Sequence, residues 1–443
     1  MTHTDTAAPA AGTKSYEKRL LRAIPGGAHT YSRGFDQFPA NAPEILERGE
    51  GAYVFDPDGR RYLDYGMALR AVILGYSEPR VNQAAWRAIE QGNNLTRPSV
   101  VELEAAETLI DLIDSVDMVK FTKNGSTATS AAVKLARAYT GRTLVARCLD
   151  HPFFSYDDWF IGSTVMNRGV PDEISSQTKL FRFNDVDSFE RLIKEFPGQI
   201  ACAMLEPATS VAPEPGYLER MRELCSANGI VLVFDEMITG FRWHVKGAQH
   251  FYGVQPDLCT FGKAMANGFS VAAVAGKREI MELGSIELEG RERVFLLSTT
   301  HGAEMCGLAA FMETVRLIES EGVVDHVWQY GRDLLAGLNA LAKRHGVEQS
   351  FVAGGVECSP YYLTLDERGA ASMPLRTLFA QEMVKGGVLM PWIALSSAHG
   401  AAELTATLDA ADRALAVYAA AVRDGVDEYL EGEAIRPVFR RFN

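Results

Sequence analysis

Two apolar runs in this chain are continuous rather than alternating, and both stop at an acid. GQIACAMLEP (198–207) reaches Glu206 and GIVLVFDE (229–236) reaches Asp235. A strand whose apolar residues do not alternate is covered on both faces, which is the habit of a parallel sheet sandwiched between helices. Between about Tyr76 and Gly302 such short runs alternate with helical patterns, so this stretch is predicted to be α/β, with a mostly parallel sheet. Open sheets of this kind bind ligands outside the carboxyl ends of their strands, which makes Glu206 and Asp235 the first residues to weigh. A carboxylate placed directly after VLVF is costly to bury unless a cation or several donors compensate it. Asp235 is therefore expected to need a positive partner.

A third run, PDLCTFGK (256–263), delivers a lysine to the end of an apolar segment. A lysine opening a surface loop is the ordinary alternative. A fourth element, KNGSTATSAAVKLARAYTGR (123–142), reads as a helix with its start and stop signals. Asn124 or Ser126 can cap it, Gly125 lets the backbone approach a ligand, and Gly141 is placed to end it. Free amides at a helix start make a seat for an anion, above all a phosphate. Alone, this is a plain cap. Together, a phosphate seat, a buried carboxylate needing a cation and a lysine at a strand end describe a phosphorylated aldehyde bearing a basic ring nitrogen. That ligand is pyridoxal 5'-phosphate: Lys263 would form its Schiff base, and Asp235 would keep its ring nitrogen protonated.

At 443 residues the chain exceeds one ordinary compact core, so more than one domain is expected. EGAYVFDPDGRRYLDYG (50–66) reads as a hairpin turning at DPDG. After Met312 the pattern becomes amphipathic and helical, as in AAELTATLDAADRALAVYAAAV (401–422). The expected division is a tail at 1–15, the N-terminal part of a small domain at 16–75, a large ligand-binding domain at 76–311, and the C-terminal part of the small domain at 312–443. A formal charge of −13 argues against a nucleic-acid or anionic-membrane partner. No apolar run approaches the length of a bilayer span, and MTHTDTAAPAAGTK lacks the basic and apolar regions of a signal peptide, so a cytoplasmic protein is expected. The six cysteines are scattered without ligand spacing, and no metal site is indicated.

DEMITGFR (235–242) followed by PDLCTFGKAMANG (256–268) carries a resemblance, extended by AIPGGAHTYSRGF near the start and SSAHG at 396–400. The chain resembles the class III aminotransferases among the fold type I pyridoxal phosphate enzymes, and within them is most similar to glutamate-1-semialdehyde 2,1-aminomutase. The resemblance implies a large domain with a mostly parallel sheet covered by helices, plus a smaller α+β domain built from both ends of the chain. It also implies a homodimer with sites shared between subunits. Carried over by position, Lys263 and Asp235 keep the roles given above, and Met237 packs under the ring. Asn124, Gly125 and Ser126 form the phosphate turn, and Glu206 lies near the cofactor. Thr299, with Thr300 as the alternative, reaches the phosphate from the other subunit. His151, or else Phe153, stacks on the ring.

On the substrate side, Arg33 matches the arginine that fixes a carboxylate in the aminomutase. Leu69, with Arg70 beside it, stands where the aminomutase has a tryptophan. The loop after Trp159 is short, and the stretch from Pro391 to Ser396 lacks an acid found near the aminomutase pocket. The preferred reading is a two-stage transfer from an amino donor to a ketone or aldehyde acceptor, a sugar or other specialised metabolite being one acceptor class. The alternative is the aminomutase itself, which forms 5-aminolevulinate. A non-catalytic ligand sensor is disfavoured because both Lys263 and Asp235 are retained.

Overall fold

The computed structural model describes residues 15–287 and 289–442. Strands β1 (Arg48–Glu50), β2 (Tyr53–Phe55) and β3 (Arg61–Asp64) form an antiparallel meander. Its second turn is the predicted DPDG: Asp56 Oδ1 accepts the amides of Asp58 at 3.0 Å and Arg60 at 2.9 Å.

The large sheet has seven strands: β4 (Met118–Thr122), β5 (Leu144–Cys148), β6 (Thr178–Phe181), β7 (Ile200–Leu205), β8 (Val231–Asp235), β9 (Leu258–Phe261) and β10 (Ala272–Gly276). Their order is β4-β10-β9-β8-β7-β5-β6. Strands β6, β5, β7, β8 and β9 run parallel, and only β10 is antiparallel to its two neighbours, β9 and β4. The predicted covering of both faces is borne out residue by residue along β8. Val231 and Val233 join an apolar cluster with helix Gly125–Thr140, while Leu232 and Phe234 join another with helix Tyr217–Asn228. Each such side chain, taken fully out of water, stabilises the fold by roughly 1.5–3 kcal/mol.

Beyond the sheet come helices Met305–Ser320 and Val323–Arg344, then a hairpin of β11 (Phe351–Val356) and β12 (Ser359–Thr364). Helices Met373–Lys385 and Ala401–Asp424 follow, with the two-residue β13 (Val388–Leu389) between them. Strand β13 pairs in parallel with β3, so the late segment completes the early sheet. The expected edge at 311/312 falls inside helix Met305–Ser320, which runs unbroken through it and packs on helix Pro79–Glu90. Among the described residues, no helix is long and apolar enough to cross a membrane.

Candidate active site

Three strand ends converge. Asp235, the last residue of β8, is buried, and its Oδ1 accepts the Met237 amide and the Thr260 hydroxyl, both at 3.0 Å. Both donors are neutral, and Oδ2 takes no hydrogen bond among the described residues. Burial pushes the carboxyl up to about 6, against the opposing pull of the Lys263 charge. Glu236 points the other way, where it accepts the amides of Ala248 at 2.9 Å and Gln249 at 2.8 Å at the start of helix Gly247–Tyr252. Strand alternation thus gives the adjacent acids separate jobs, and Asp235 alone faces the site.

Lys263 follows β9 through Gly262, with φ 44 in the left-handed region. Desolvation lowers its amine; the Asp235 and Glu206 carboxylates oppose that shift, and the Arg70 and Arg242 charges add to it. Glu206, just past β7, is 3% exposed, and its Oε2 is buried without a partner. Burial first, then the Asp235 charge, pushes this carboxyl up to about 8.

The Glu206 amide donates to His151 Nδ1 at 3.0 Å, which leaves the ring proton on Nε2. That atom is also buried and unpartnered, and burial depresses the imidazole to about 3. His151 is therefore a neutral donor lying beside Glu206. Phe153 is 47% exposed. Of the two residues weighed for stacking, His151 is the one enclosed with the strand ends.

The helix start behaves as its sequence predicted. Asn124 Oδ1 accepts the Thr127 amide at 2.9 Å, and Gly141 ends the helix at φ 67. Asn124 is thereby occupied as the cap, and the amides of Gly125 and Ser126 have no acceptor among the described residues. Ser126 Oγ accepts the Tyr156 amide at 3.1 Å, which leaves its own proton to donate. A Cβ at Gly125 would lie 2.9 Å from Met237 Sδ, and one at Gly262 would lie 2.6 Å from it. Met237 thus fills the gap between the phosphate turn and the lysine turn, and a side chain at either glycine would have to displace its thioether.

Arg33 is exposed on the wall of a cavity of about 930 Å³, which is also lined by Ala68, Leu69, Tyr76 and Trp392. Lys263 and Asp235 are not on that wall. Thr299 and Thr300 are exposed and make no hydrogen bond to the Gly125–Ser126 turn. A single chain therefore does not bring every expected residue together.

Sequence reasoning missed the device between these groups. Met67, Ala68, Leu69 and Arg70 have φ of 38, 48, 63 and 68, a left-handed turn made without glycine. The Asp64 carboxylate holds its start by accepting the amides of Gly66 at 2.8 Å and Met67 at 2.9 Å. Tyr76 Oη donates to Asp64 at 2.6 Å and accepts the Ala68 amide at 2.8 Å. The buried Arg242 donates to the carbonyls of Arg70 at 3.2 Å and Leu395 at 2.7 Å. Asn267 accepts the amides of Ile73 and Leu74, both at 2.9 Å, which ties the turn to the segment after Lys263. The one available signal was Arg242 itself, a cation set between Phe241 and Trp243.

These groups fit a phosphorylated aldehyde with a basic ring nitrogen. Among the described residues, the Gly125 and Ser126 amides have no acceptor, the buried Asp235 carboxyl has no bonded cation, and Glu206 Oε2 and His151 Nε2 have no partner.

The class-III aminotransferase family model matches residues 36–358. Among solved structures, the FumI protein of a Sphingopyxis species, in its PLP internal aldimine form, has a TM-score of 0.83 at 27% identity, over 93% of this chain and 97% of that one. An omega-transaminase from Sphaerobacter thermophilus gives 0.79 at 27% identity, over 92% and 96%. A glutamate-1-semialdehyde aminomutase from Pseudomonas aeruginosa gives 0.79 at 21% identity, over 91% and 94%, a likeness of fold alone.

Proposed function

Since this chain belongs to the class-III aminotransferase family and is a pyridoxal phosphate-dependent aminotransferase, we propose that it works in the cytoplasm by a ping-pong mechanism. An external donor such as glutamate would give up its amino group and leave as a keto product before a ketone or aldehyde acceptor enters. A sugar or other specialised metabolite is one acceptor class. The observation that carries this reading is Asp235, a buried carboxyl whose hydrogen bonds among the described residues come from neutral donors, beside a lysine whose amine pKa burial lowers.

When bound, pyridoxal phosphate supplies an aldehyde that takes up the amino group and a ring that draws electrons from the adjacent carbon. Lys263 Nζ holds that aldehyde between turnovers, then takes and returns the proton of the substrate carbon. Burial lowers its amine pKa, the direction that favours the neutral form both tasks need. Asp235 would hold a proton on the ring nitrogen, Gly125 and Ser126 would seat the phosphate, and Met237 and His151 would contact the ring. Glu206, whose carboxyl burial pushes toward its protonated form, would supply a hydrogen-bond donor near the cofactor. Arg33 and Arg70 bind the substrate, and in a homodimer Thr299 reaches the phosphate of the partner's site.

The test is a panel of amino donors mixed with the pyridoxal form, following loss of its absorbance and release of the keto product. Lys263→Ala should lose both turnover and the borohydride-reducible link to cofactor, read as intact mass. An adduct that persists would overturn the lysine assignment. Efficient conversion of glutamate-1-semialdehyde to 5-aminolevulinate with no added donor would replace the transaminase reading by the aminomutase.

A further inference from the structure

The left-handed turn has a purpose only in what it presents. Main-chain bonds from Asp64, Tyr76 and Arg242 hold Met67–Arg70 in place, and the turn packs against Lys263–Ala266. Among the described residues, the half-buried Arg70 guanidinium makes no hydrogen bond and no ion pair. Its charge lies near the Glu206 carboxyl, the Lys263 amine and the Arg242 guanidinium. A guanidinium held on a fixed turn with its five donors unused calls for acceptors from outside the chain, and a carboxylate matches its planar fork. The facing stretch LMPWIALSSAHG (389–400) contains no lysine or arginine, and its His399 is buried and bonded to Ser396. Arg33 stands on the outer cavity wall, away from Lys263.

We propose that Arg70 is the specificity-determining residue that binds a carboxylate one or two carbons from the reacting amine, so that α- or β-amino acids and their keto acids are preferred over simple amines. This rests on the aminotransferase reading above. A guanidinium forks onto a carboxylate through two parallel hydrogen bonds, and a turn fixed by its own backbone bonds places that fork in advance. Arg33 is then left to the outer part of a longer substrate.

The experiment compares donors of matched shape on the holoenzyme: L-alanine and 3-aminobutanoate against isopropylamine and 2-aminobutane. Wild type should favour the faster carboxylate donor over its amine counterpart. Arg70→Ala should reduce that ratio about 10- to 100-fold, the size expected when charge-assisted hydrogen bonds are lost. Arg70→Lys, which keeps the charge but not the fork, should fall between, and it serves if the alanine variant does not fold. Calorimetric binding of propionate to the holoenzyme gives a second reading, free of turnover, and should weaken in the same order. Unaltered discrimination and propionate binding in any folded Arg70 variant would overturn the proposal, as would loss in Arg33→Ala alone. If no donor bleaches the holoenzyme while propionate binding still depends on Arg70, the aminotransferase reading fails and the anion site stands.

Discussion

At the scale of single residues, Glu206 makes a prediction that separates burial from chemistry. Its folded-state pKa is raised from 4.5 to about 8. A raised carboxyl contributes stability that is fully present below its unfolded pKa and is lost as pH climbs through the folded one. In cofactor-free protein, Glu206→Gln should therefore match wild type near pH 4 and become more stable than it by pH 9. The gap should be on the order of 1–3 kcal/mol. Thermal melts across that range decide it, and parallel curves would show that the carboxyl is solvated. Lys263, Asp235 and Glu206 were legible in the sequence because each closes an apolar run, where a charge is conspicuous. Asp64, Tyr76 and Arg242 were not. Their roles depend on partners set by the fold, as when Arg242 reaches a carbonyl 172 positions away.

At the scale of elements, strands β7, β8 and β9 were readable because burial on both faces leaves a continuous apolar signature. The helix from Gly125 was readable from its capping residues. Its glycine leads to a coupled prediction: Gly125→Ala should weaken cofactor binding about tenfold, because the new Cβ meets Met237 Sδ at 2.9 Å. Gly125→Ala with Met237→Ala should recover part of that loss, and titration of cofactor-free protein with pyridoxal phosphate measures both. Equal affinity in the single variant would mean that the thioether yields freely. The turn Met67–Arg70 was hidden for the opposite reason, since Met, Ala, Leu and Arg are good right-handed helix formers. Left-handed backbone costs such residues roughly 1–2 kcal/mol each, part of which glycine's extra freedom when unfolded cancels. Ala68→Gly should therefore stabilise the protein by about 0.5–1 kcal/mol, read as a higher melting temperature. A drop of the size usual for Ala→Gly inside a helix would contradict the turn's handedness.

At the scale of the whole molecule, the sequence predicted a small domain drawn from both ends of the chain; in the structure, β13 from the late segment pairs with β3 from the early one. The edge itself was not legible, because helix Met305–Ser320 has no break in its pattern at 311/312. Strands β11 and β12 also went unread, because each mixes buried with partly exposed positions, and β13 because it has only two residues. The exposed Thr299 belongs to this scale too. Thr299→Ala alone should loosen cofactor, and Lys263→Ala alone should be inactive. Unfolding and refolding the two together should restore some activity if phosphate and lysine come from different copies. An inactive mixture that still forms dimers would mean that each chain completes its own site.

Trp392 Nε1 donates to the carbonyl of Gly66 across 326 residues of chain. The cavity wall shared by Trp392, Ala68 and Leu69 is therefore expected to form late in folding, since so long a loop is costly to close before the sheet between its ends has formed. During refolding the cofactor seat, built from residues near one another along the sheet, can exist before the substrate wall does. The molecule would pass through a stage able to hold its cofactor yet unable to choose its substrate.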